Sequence, residues 1–97
     1  MPYAFFYDVP SNERIYQRVK AEIGEEQPRG LLTQMVVKHD KGLRHYGVWE
    51  SKEQWNQFQH DRVRPAVNKV LATMGFDEPR TPPTLEEMEL VDVVTAQ

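Results

Sequence analysis

The stretch Gly47-Val48-Trp49-Glu50-Ser51-Lys52-Glu53-Gln54-Trp55, GVWESKEQW, changes its hydrophobic period from two to about 3.6 at its centre. Up to Trp49 the residues alternate as a strand does. Ser51 followed three places later by Gln54 is then a capping box, S-x-x-Q, opening a helix on which Trp55 and Phe58 share a face. A tryptophan is therefore the last apolar residue of a strand, two places ahead of a helix cap. This puts Trp49 at the mouth of a pocket on a twisted sheet.

The neighbouring elements follow from that junction. LRHYGVWE (Leu43 to Glu50) returns from a hairpin turn, His39-Asp40-Lys41-Gly42, in which Gly42 supplies a positive φ and Asp40 a side-chain acceptor. The partner strand is LLTQMVVK (Leu31 to Lys38), entered from the loop GEEQPRG. Ahead of it YAFFYD (Tyr3 to Asp8) reads as a first strand stopped by Pro10, and Ser11 is expected to cap a helix whose apolar stripe is Ile15, Tyr16, Val19 and Ile23, ending at Gly24. Pro65 predicts a kink or restart in the second helix, followed by Val67, Val70, Leu71 and Met74 and closed by Gly75. DEPRTPPT (Asp77 to Thr84) is a stiff connector, and EMELVDVV (Glu87 to Val94) the fourth strand. The order β-α-β-β-α-β is the ferredoxin-like α+β arrangement, a four-stranded antiparallel sheet with both helices on one face. Residues 1–97 are expected to form one domain, since a chain this short has no room for a second core.

A sheet with helices on one side and water on the other should alternate apolar with polar. These strands are apolar on both sides. Tyr3, Phe5 and Tyr7 oppose Ala4 and Phe6; Leu31, Met35 and Val37 oppose Leu32 and Val36; Leu43 and Trp49 oppose Tyr46 and Val48; Met88, Leu90 and Val94 oppose Val91 and Val93. Two helices cover one face, so a second copy is expected on the other, closing a dimeric α/β barrel. Each half keeps a cleft for a small ligand between its sheet and a helix or loop.

Twelve Lys and Arg against fifteen Asp and Glu give a formal charge of −3, which argues against a nucleic-acid partner. No apolar run reaches the ~20 residues of a membrane span, and the start Met1-Pro2-Tyr3 has no basic n-region, so a cytoplasmic protein without a membrane partner is expected. With no cysteine, disulfides and cysteine nucleophiles are excluded. His39, His45 and His60 have no metal-ligand spacing, no carboxylate triad accompanies them, and there is no phosphate-cradling glycine loop or G-x-S-x-G, so neither metal nor cofactor is expected.

Val48-Trp49-Glu50-Ser51, with Lys52-Glu53-Gln54-Trp55 and Phe58 after it, resembles the antibiotic-biosynthesis-monooxygenase-like members of the dimeric α/β barrel superfamily, and the order of elements matches over nearly the whole chain. The resemblance implies a homodimer with a mostly apolar cleft. Some members of that superfamily oxygenate polycyclic phenols without metal or flavin, relatives degrade haem, and others isomerise lactones. In the oxygenating and haem-degrading members the tryptophan at this strand end lines the cleft, a role that falls on Trp49. Haem chemistry fits poorly, because the haem-degrading relatives use an asparagine on the first strand, which YAFFYD lacks, and the second-helix histidine has only His60 to supply it.

Alternation along the third strand sets His45, Gly47 and Trp49 on one face. If that face lines the cleft, His45 is the candidate catalytic base for a phenolic or enolic substrate to which oxygen then adds; its plainer reading is a strand histidine hydrogen-bonded at the dimer seam. Trp49, Gln34, Tyr7, Asp92 and Gly47 are the candidate ligand-binding residues: an aromatic wall, polar groups among apolar strand positions, and open space over a glycine. Asp92 is expected to meet a cation such as Arg44, to sit at an open rim, or to have a raised pKa; an ion pair is the simplest of the three. The function expected is a homodimeric binder of a small apolar or aromatic molecule, acting as a cofactor-independent monooxygenase or isomerase on an aromatic or polyketide-like substrate. The alternative is a non-catalytic ligand-binding or accessory dimer. A docking strip at Thr81 to Thr84 is a third reading.

Overall fold

Aromatic and β-branched residues build the first strand, β1, over Tyr3–Val9. The computed structural model describes residues 2–75 and 83–94. After β1 come α1 (Glu13–Ile23), β2 (Leu31–His39), β3 (Gly42–Trp49), α2 (Lys52–Phe58), a π-helical turn (Gln59–Val63), α3 (Arg64–Thr73) and β4 (Glu86–Met88). The sheet is antiparallel throughout, in the order β2-β3-β1-β4. This is the ferredoxin-like α+β layout expected from the element order. Among the described residues no helix is long and apolar enough to cross a membrane.

The register turns the sheet into a grid. Facing the helices, Val36, His45 and Tyr7 form one row, Gln34, Gly47 and Phe5 the next, and Leu31, Trp49 and Tyr3 the third. Trp55 and Phe58 of α2 close over these rows, and Phe5, Trp49 and Trp55 are the buried centre of the core. α1 packs against α3, tied by Lys69–Glu22 at 3.2 Å and by the Arg18 guanidinium donating to Thr73 Oγ1 at 3.0 Å. The opposite face carries Ala4, Phe6, Tyr46, Val48, Val37, Met35 and Met88, with Met35 54% exposed.

Local chemistry departs from the sequence reading at five places. Asn12, not Ser11, caps α1: Asn12 Oδ1 accepts from the Ile15 amide at 2.9 Å, while the Ser11 amide is spent on the Val9 carbonyl in the turn that ends β1. A β-bulge between Leu31 and Thr33 breaks strict alternation in β2, so Leu31 joins the core while Met35 and Val37 lie on the other face. The kink expected at Pro65 is a π-turn. The Arg64 amide reaches back to the Gln59 carbonyl just before the residue with no N–H, and α3 restarts with Pro65 in its first turn. Ala66 joins Val70 and Leu71 in the buried stripe of α3, and Met74, expected there, is exposed.

The fifth departure is β4, which ends at Met88 instead of running to Val94. Its register pairs Met88 with Ala4, so the next partners would be Tyr3 and then Pro2, which has no amide to donate. β4 outruns its neighbour and the ladder stops. The cap at the other decisive junction is Ser51, whose Oγ accepts from the Gln54 amide at 3.2 Å; the Gln54 side chain turns back to the Ser51 hydroxyl, which donates to Oε1 at 3.0 Å. Most of the proline-rich connector expected over 77–84, including Thr81 of the suggested docking strip, lies outside the described residues.

Candidate functional site

Strand alternation and register bring four of the six predicted residues, Tyr7, Gln34, His45 and Gly47, into adjacent rows of the helix-facing side, with Trp49 one row further. Tyr7 stands directly opposite His45 on β1, and their rings stack nearly parallel, 4.8 Å between centroids and 5° between planes. Tyr16 of α1 meets the same imidazole edge-on at 5.7 Å. His45 is only half-buried. No buried side-chain nitrogen or oxygen among the described residues lacks a hydrogen-bond partner.

Electrostatics follow from this enclosure. Burial between two phenols disfavours the imidazolium and lowers the His45 pKa below its ordinary value. Desolvation, reinforced by Tyr16, pushes the Tyr7 phenol far above its usual range. At neutral pH the pair is thus a neutral imidazole, able to accept a proton, on a neutral phenol able to donate one. Gln34, exposed on β2, is the diagonal neighbour of His45 and faces the same side.

Two expectations about open space are corrected. The volume above Gly47 is occupied by the Phe5 ring: a Cβ on Gly47 would lie 2.8 Å from Phe5 Cζ. Trp49 is 2% exposed, its indole enclosed by Trp55 at 5.5 Å and Phe58 at 5.3 Å. A single copy holds Trp49 as core, where sequence alternation suggested a pocket mouth.

Asp92 lies off the sheet, exposed, in the segment that follows β4. Its expected partner Arg44 is held by Asp8 in a bidentate pair at 2.7 and 3.0 Å, with the guanidinium 4.7 Å above the Phe6 ring. Hydrogen bonding from Arg44 holds the Asp8 carboxyl below the usual carboxylate range. The three histidines are dispersed: His39 sits at the hairpin, His45 on the inner face, and His60 on the π-turn beside Asp61 at 2.9 Å. A surface hollow of about 240 Å³ lies elsewhere, between the end of α1 and α3, lined by Glu22, Asp61, Arg62 and Lys69 among others.

Sequence reasoning missed Phe5 and Tyr16 as site residues. The signal for Phe5 was available in strand alternation, which sets it beside Tyr7; Tyr16 was visible in the α1 stripe, but its approach to His45 depends on how the helix lies across the sheet.

No protein-family model matches the chain, and no curated protein matches it. Among solved structures, the chain is similar to a monooxygenase from the gene ActVA-Orf6 of Streptomyces coelicolor, crystallised with nanaomycin D. The TM-score is 0.52 at 15% identity, over 99% of this chain and 91% of that one. At this identity the likeness is one of fold alone.

Proposed function

We propose that the protein is a homodimeric binder of a small aromatic molecule and a cofactor-independent monooxygenase in which His45 is the catalytic base. The observation that carries this reading is the His45–Tyr7 stack: an imidazole kept neutral by burial, beside a phenol that stays protonated. A similar fold in a monooxygenase crystallised with nanaomycin D lends support. Gln34 would orient the substrate by hydrogen bonding, and Tyr7 and Tyr16 would provide the aromatic walls. Trp49 and Gly47 contribute from behind, as the packed floor under Phe5.

In the reaction His45 takes the phenolic proton, the substrate anion adds O2 at an activated CH2 carbon, and the resulting hydroperoxide loses water to leave a carbonyl. One CH2 and one O2 give one C=O and one H2O, so the substrate supplies all the electrons. The apolar sheet face supports a second copy closing the barrel, since exposed Met35 and Met88 beside Phe6, Tyr46 and Val48 form a continuous patch.

Oxygen uptake with a panel of hydroxyanthrones and quinols tests the reading. Turnover is expected, with kcat falling about 10²- to 10⁴-fold in His45→Gln. Uptake indifferent to His45→Gln, or none across the panel, overturns it. Binding without turnover favours a non-catalytic ligand-binding or accessory dimer.

A further inference from the structure

The helix that brings Tyr16 to His45 is loosely anchored. Among the described residues α1 contributes no buried side chain, whereas α2 buries Trp55 and α3 buries Ala66, Val70 and Leu71. Its apolar stripe of Ile15, Tyr16, Val19 and Ile23 is half-buried from end to end. The seam between α1 and α3 is correspondingly open. One hollow of about 240 Å³ lies beside Ile23 and Arg62, a second of about 230 Å³ beside Arg18 and Val70, and Glu22 and Lys69 line both.

Polar tethers cross this seam where side chains do not fill it. Lys69 meets Glu22 at 3.2 Å on the wall the two hollows share, Arg18 donates to Thr73 Oγ1 at 3.0 Å, and the Arg62 guanidinium donates to the Ile23 carbonyl in the last turn. Toward the sheet, Glu13 pairs with Lys38 at 3.5 Å, both exposed. Exposed pairs of this kind hold weakly, and a helix with little buried apolar surface belongs to the part of a fold that opens first. The turn at Ser11 and Gly24, at φ 94°, bound it on either side. Neither hollow reaches the imidazole, against which α1 sets Tyr16 edge-on at 5.7 Å.

We infer that α1 is a hinged roof over the His45–Tyr7 stack. It parts from α3 along the hollow seam, carries Tyr16 off the imidazole to admit a planar aromatic ligand, and closes again over it. This role for α1 rests on the proposed site at His45, and it is tested through access to that imidazole, not through turnover, so that each can fail without the other.

The chain has no cysteine, so Glu22→Cys with Lys69→Cys puts one thiol on each side of the seam, where a short bis-methanethiosulfonate linker joins them and reductant frees them. Diethylpyrocarbonate modification is followed at each histidine by mass spectrometry, with the exposed His39 and His60 as references on the same molecule. Linking should slow modification of His45 about tenfold and leave His39 and His60 unchanged, and reduction should restore the rate. In the parent chain, amides in the middle of α1 should exchange with deuterium about tenfold or more faster than those of Val70 and Leu71. Equal His45 rates in the linked and reduced forms, or α1 amides that exchange in step with those of α3, overturn the roof and leave the base assignment to the oxygen-uptake test. Oxygen uptake indifferent to His45→Gln, with the linker effect intact, overturns the base assignment and leaves the roof standing.

Discussion

The phenyl ring of Phe5 and the missing side chain of Gly47 form one packed unit, and its energetics decide what the middle of the sheet can hold. A Cβ at position 47 lands 2.8 Å from Phe5 Cζ and 3.3 Å from both Cε atoms, so the buried ring must move against Trp55, 4.6 Å away. Gly47→Ala should therefore destabilise the protein by about 1–3 kcal/mol in urea unfolding, the cost of overpacking a filled core. A value near zero would mean that the ring shifts freely and that the space is a usable cavity. The glycine was legible in the sequence as room above the sheet, but its filler comes from another strand, and no local pattern says which side chain leans over. Trp49 illustrates the same limit. Alternation assigns its face, while its burial depends on where α2 sets Trp55 and Phe58.

At the scale of elements, the order of strands and helices was readable from periodicity, and the ends were less so. Ser11 and Asn12 are both good caps, and what separates them is that the first helical bond, from the Tyr16 amide, goes to the Asn12 carbonyl. Asn12→Ala should lower stability by about 1 kcal/mol, whereas Ser11→Ala should change it by a few tenths at most, as measured by thermal or urea melts of the two variants. Equal effects would return the cap to Ser11. The length of β4 could not be read from EMELVDVV at all, since the segment is strand-like to its end. Its limit is set by Pro2 and the start of β1, at the far end of the chain. The bulge in β2 is likewise a property of pairing, invisible in LLTQMVVK alone.

For the whole molecule, His45, Asp8 and Tyr7 are among the groups that shape stability against pH. His45 has a folded pKa below its unfolded value, so the unfolded chain binds the proton first, and stability is full above about pH 6.5 and falls as pH drops through that value. Asp8, depressed by Arg44, adds a further loss at lower pH, beginning near the free carboxylate value of about 4. Tyr7 acts in the other direction: its raised pKa means stability is lost as pH climbs past about 10. Urea midpoints measured across pH should show a plateau between these limits, and His45→Gln should remove the shoulder near pH 6.5 while leaving the other two. A shoulder that survives the substitution would show that His45 titrates in the folded state as it does in the unfolded chain. The apolar character of both faces was legible in β1 and β3, by contrast, while the β2 bulge and the early end of β4 moved residues that the sequence assigned to them. What it could not show is that β2 and β4 form the two edges of the sheet, because that needs the spatial order of the strands.

Trp49 and Trp55 are the chain's two indoles, and they lie 5.5 Å apart across the junction of β3 and α2. At that separation their excited states interact, so the protein carries a built-in optical gauge. An exciton couplet in ultraviolet dichroism should appear as helix and strand dock, and vanish when they part.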